Sequence, residues 1–76
     1  MDLGMLWYDD DKRRPLAEKI RQAAEYYLKK YGQVITQCYV HPRMLPEGQA
    51  LRVAGIRVLP SRVVVMNHMW LGIGKA

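Results

Sequence analysis

Seventy-six residues with a single cysteine allow one domain and exclude an internal disulfide or a multi-cysteine metal site. A chain this short buries only about 60% of its extended surface, so stability supplied by a second chain is expected. The net charge of +5 is unevenly placed, with −4 in residues 1–11 and +9 in residues 12–76.

A basic body behind an acidic leading segment suits a polyanion without requiring one. The leading segment MDLGMLWYDDD lacks the basic n-region of a secretion signal. No apolar run approaches the roughly 20 residues of a membrane span. The expectation is a soluble, cytoplasmic chain with no membrane association and no cofactor.

Met5 to Tyr8, MLWY, is short, apolar and aromatic, and reads as a first strand. Asp9, Asp10 and Asp11 end it, because aspartate favours turns and caps. They also precede a helix, whose N-terminal dipole favours negative charge. The alternative for this run is a divalent-metal or acid–base cluster, which needs ligands from elsewhere in the chain.

Arg14 to Gly32 carries the clearest signal. Leu16, Ile20, Ala23, Ala24, Tyr27, Leu28 and Tyr31 recur at helical spacing and form one apolar stripe. Glu18, Lys19, Arg21, Gln22, Glu25, Lys29 and Lys30 fall on the other faces. Pro15 suits the first turn, Lys29 and Lys30 suit the negative end of the dipole, and Gly32 suits the left-handed residue after the C-cap. A helix over about 15–31 follows.

Val34 to Val40 reads as a second strand, with Val34, Thr36, Cys38 and Val40 on one face and Ile35, Gln37 and Tyr39 on the other. If it neighbours the first strand, the helix is a crossover between parallel strands. Pro42 stops it, and residues 42–49 form the longest loop.

Leu51 to Val58 reads as a hairpin turning at Ala54-Gly55. In that register Val53 opposes Ile56, Arg52 opposes Arg57 and Leu51 opposes Val58. Pro60-Ser61 is a turn. Arg62–Met66 and Met69–Ile73 read as a second hairpin around Asn67-His68, with Val65 opposite Trp70 and Val64 opposite Leu71. Residues 74–76 read as a frayed tail. The fold class is α+β, in the order β-α-β-β-β-β: one amphipathic helix on a mostly antiparallel sheet of four to five strands.

No catalytic signature is present: no GxGxxG, P-loop, HExxH, GxSxG or paired-cysteine motif. Cys38 reads as a small buried hydrophobe, since His41 shares no strand face with it. Metal-dependent hydrolase or nuclease chemistry would have to draw on Asp9, Asp10, Asp11, His41 and His68, which match no local ligand spacing. As turn residues, the histidines are more simply half-exposed.

Two features remain. Arg52 and Arg57 are like charges facing each other; with Arg62, Lys29 and Lys30 they are either solvated or a phosphate-binding basic face. Val64, Val65, Met66, Met69, Trp70 and Leu71 offer apolar side chains to both faces of a strand pair, although one helix covers only one face. They are the candidate interface of a homodimer. The function expected is a non-enzymatic binding module that self-associates, with nucleic acid, another polyanion or a second protein as ligand. The alternative is an accessory subunit of an assembly whose basic residues serve solubility alone.

Overall fold

The computed structural model describes residues 4–73. Met1–Leu3 and the tail expected to fray at 74–76 lie outside the described residues. The elements are β1 (Gly4–Tyr8), α1 (Leu16–Tyr31), β2 (Gln37–Val40), two single 3₁₀ turns at Pro42–Met44 and Pro46–Gly48, β3 (Leu51–Val53), β4 (Ile56–Pro60) and β5 (His68–Gly72). They form one helix on a five-stranded sheet of order β1-β5-β2-β4-β3. Three neighbouring pairs are antiparallel, and β2–β4 is parallel.

The helix ends as its residues dictate. Gly32 adopts φ 69°, and its N–H donates to the Leu28 carbonyl at 2.8 Å. Pro15 is the N-cap itself, in extended conformation, rather than a first-turn residue. Ile20, Ala23 and Tyr27 enter the core, with Leu16, Ala17 and Ala24 packed at its margin. Leu28 and Tyr31 do not follow the stripe inward, and both are exposed. Leu28 borders an open cleft with Ile35, Ala54 and Ile56 rather than the closed core. Tyr31 instead packs on Tyr27, ring centroids 4.7 Å apart. Lys19, assigned to the polar faces, is buried, and its Nζ donates to the Asp9 carbonyl at 3.3 Å.

The hairpin β3–β4 has the register its sequence implies: Leu51 with Val58, Arg52 with Arg57, Val53 with Ile56. Ala54 and Gly55 both have positive φ, 50° and 81°, as a type I′ turn requires.

Three expectations are corrected. The helix does not connect neighbouring strands, because β5 lies between β1 and β2 and is antiparallel to both. The strand expected from Val34 begins at Gln37, so alternation does not bind the residues before it. Ile35 is buried in the core and Val34 is exposed. The hairpin expected across residues 62–73 does not form. Residues 62–66, expected as the partner of 69–73, lie in the turns of 61–67, which end at Asn67 with φ 66°, and β5 pairs with β1 and β2 instead. β5 gains two neighbours this way, where a terminal hairpin would have given it one. Its helix-facing residues Met69 and Leu71 join Cys38, Val40, Val58 and Ile56 in a core closed by Ile20.

Two stability measurements check this account. Ile20→Asp puts an unpaired charge at a fully buried site and should cost about 4 kcal/mol or more, abolishing the cooperative thermal transition; a wild-type melting temperature would contradict the packing. Ala54→Asn places the preferred residue at a left-handed turn position and should stabilise by roughly 0.5–1 kcal/mol in urea titration, with unchanged m-value.

Candidate functional site: the open sheet face

Strand alternation divides the sheet. Met5 and Trp7, Cys38 and Val40, Ile56 and Val58, and Met69 and Leu71 face the helix. The opposite face carries three cross-strand rows. Tyr8 and His68 form one, with ring centroids 4.8 Å apart. Leu6, Trp70, Tyr39 and Leu59 form the next, across β1, β5, β2 and β4. Gly4, Gly72, Gln37, Arg57 and Arg52 form the third. Among the described residues, no strand position on this face is acidic.

Leu6, Trp70 and Tyr39 of the middle row floor a groove of about 490 Å³. Leu6, Tyr39, Trp70 and His68 line its base, and Ser61 and Val63–Val65 line its wall. The wall is the 61–67 segment that replaces the expected hairpin. Val64 is buried in it, while Val63 and Val65 are 89% and 67% exposed. Two valines so open to water beside an apolar groove form a patch that water disfavours. Trp70 lies over Gly4, where a Cβ would sit 2.6 Å from the indole ring. Only glycine lets the ring lie across β1.

Among the candidate interface residues, Trp70 and Val65 line the groove, Val64 is packed in its wall, and Met66 is exposed. Met69 and Leu71 lie in the core beneath the helix. Leu6, Tyr8, Tyr39 and Ser61 belong to the face although no motif singled them out. Their assignment needs the partner strand, and those partners lie 20 or more residues away.

The candidate basic residues separate into three places. Arg52 and Arg57 oppose each other in the third row, about 7 Å from the aromatic row. The Arg57 guanidinium donates to Gln37 Oε1 at 2.9 Å, which holds it on the face. Arg62 lies beyond the opposite end of β4, so it does not extend this pair. Lys29 and Lys30 are in the helix layer. Lys29 pairs with Glu25 at 3.1 Å, and Lys30 lies over the rings of Tyr26 and Tyr31 at 5.7 and 5.5 Å.

The aspartates act locally. Asp9 pairs with Arg14 and accepts the Asp11 backbone N–H at 3.0 Å. Asp11 accepts the Arg13 backbone N–H at 2.9 Å and its Nε at 3.2 Å, and these bonds hold its carboxyl below the usual carboxylate range. Asp10 accepts the Tyr8 hydroxyl at 2.9 Å, which pushes the phenol's pKa up. His41 Nδ1 accepts the Arg43 N–H at 3.1 Å, and His68 Nδ1 lies 2.9 Å from the Met66 carbonyl. The sheet register brings Tyr8 and His68 to one end, yet among the described residues no three His, Cys, Asp or Glu side chains are grouped to hold a metal. Nor is any described helix long and apolar enough to cross a membrane. Protein-family models, curated proteins and solved structures give no match to this chain, so the geometry alone carries the functional reading.

Cys38 is fully buried at the centre of the sheet, and burial pushes its thiol up to about 12. Native labelling by an aromatic disulfide at pH 8 should be slower than in denaturant by about 5,000-fold or more, the reciprocal of the unfolded fraction. The folded pKa is raised above the ordinary 9.0, so the thiol's contribution to stability is intact below pH 9 and is lost as pH rises toward 12. Rapid native labelling would show that the thiol is accessible.

Proposed function

We propose that this chain is a small non-enzymatic binding module that self-associates and works through the open face of its sheet. The observation that carries this reading is the division of the sheet. One face is filled by α1, and the other keeps an aromatic and aliphatic groove with no covering element among the described residues. Leu6, Val63 and Val65 on or beside that groove are exposed to an extent that favours burial against another surface. Sedimentation should find a dimer at high micromolar concentration, and a monomer there would overturn the self-association.

A polyanion is the second ligand supported by a specific observation. Arg52 and Arg57 are co-facial, Arg57 is held by Gln37, and among the described residues no acidic strand position shares the face. Phosphates would neutralise a like-charge pair that otherwise repels. Tyr39 and Trp70 lie one row away, within reach of bases on a single strand. A fluorescent oligothymidylate tests this in low salt. The double variant Arg52→Glu, Arg57→Glu should weaken binding by about tenfold or more and reduce the salt slope by about one to two. Absence of binding by the wild type would remove the nucleic acid and leave an accessory subunit that engages protein alone.

A further inference from the structure

The edge strand β1 specifies how two copies would meet, an inference that rests on the self-association proposed above. Asp9 N–H donates to the Asn67 carbonyl at 2.9 Å, and the register continues through Trp7 with Met69 and Met5 with Leu71. Hydrogen-bonded and non-bonded pairs alternate along an antiparallel ladder. Met5 and Trp7 therefore direct their backbone groups to β5, and the N–H and C=O of Gly4, Leu6 and Tyr8 point away from the sheet. No strand lies on that side among the described residues.

The two edges of the sheet differ. β3 is three residues long and carries Arg52 at its centre. β1 is five residues long, in unbroken register, with no proline, no lysine and no bulge. Such an edge is an open template for another strand. A second β1 fits this edge because antiparallel self-pairing sets Gly4, which has no side chain, opposite the exposed Tyr8. We infer that a second copy pairs antiparallel with β1 about a two-fold axis at Leu6. Leu6 then faces its own equivalent, and Gly4 faces the second copy's Tyr8, so the outward sets coincide.

The side chains agree with this register. A two-fold axis normal to the sheet keeps both open faces on one side. Leu6 and Tyr8, 55% and 57% exposed in the single chain, are covered at the seam. Gly4 has no side chain, and Trp70 already fills the space above it. The second copy's Tyr8 therefore meets the indole edge, an aromatic contact that any larger residue at position 4 would obstruct. The Leu6–Trp70–Tyr39–Leu59 row runs on across the seam, so pairing covers Leu6 and leaves Val63 and Val65 beside the groove for the ligand.

Leu6→Pro tests the edge, because the lost N–H points outward and the β1–β5 ladder keeps its bonds. The variant should remain folded by circular dichroism and dissociate at concentrations where the wild type is dimeric, with association weakened at least tenfold. Leu6→Lys is the second variant should the proline disturb the fold, with the same expected loss. In a Cys38→Ala background, Leu6→Cys should oxidise to a covalent dimer, while Leu59→Cys should not. Undiminished dimerisation of folded Leu6→Pro or Leu6→Lys, or no cross-link from Leu6→Cys, would overturn the β1 interface while leaving self-association intact. A monomeric wild type would overturn both.

Discussion

One 16-residue helix has a five-stranded sheet to cover, and the rest of the molecule follows from that shortage. The helix closes a core against one face only. That core is built from small and branched residues on the central strands, Cys38, Val40, Val58 and Leu71, with Ile20 and Ala23 above them. Close approach of helix and sheet depends on this economy of volume, since buried methyl groups that do not fit cost as much as those that are missing. The other face has no such cover, and its apolar content sets the chemistry available to the protein.

The helix is held at its start more firmly than at its end. Asp9 gathers the Arg14 guanidinium and the Asp11 N–H, while Lys19 reaches back to the Asp9 carbonyl. A buried lysine is costly without a partner, and here its amine meets the Asp9 carbonyl and lies near the Asp11 carboxylate. The DDD segment therefore joins β1 to α1 and fixes where the helix lies on the sheet. At the other end, Leu28 and Tyr31 are exposed, and the lysines there interact with neighbouring aromatic and acidic side chains.

The open face combines two kinds of surface. Trp70 and Tyr39 sit side by side on adjacent strands, with Leu6 and Leu59 extending their row. One row further, the Arg52–Arg57 pair concentrates positive charge at a place where like charges repel. Gln37 is buried and spends its amide oxygen on Arg57, so this arginine is pre-oriented rather than free to splay. An apolar row bordered by an arginine pair, one of them held in place, differs physically from a surface shaped only for solubility, where apolar side chains are dispersed.

Sequence alone determined the features whose hydrogen bonds close locally. The α1 stripe, its Gly32 stop, the turn-forming aspartates and the β3–β4 register all depend on residues a few positions apart, so periodicity and turn chemistry suffice. Strand order lay beyond that reach. Residues 62–66 are as apolar as a strand, yet they form the groove wall, because β2 and β1 compete better for the edges of β4 and β5. Which side chains share the open face was decided with it: Leu6, Trp70, Tyr39 and Leu59 come from four strands, and nothing in their spacing along the chain records that they form one row. The physical reason is that pairing between distant strands is selected by burial of the whole core at once, and only the tertiary structure holds that choice.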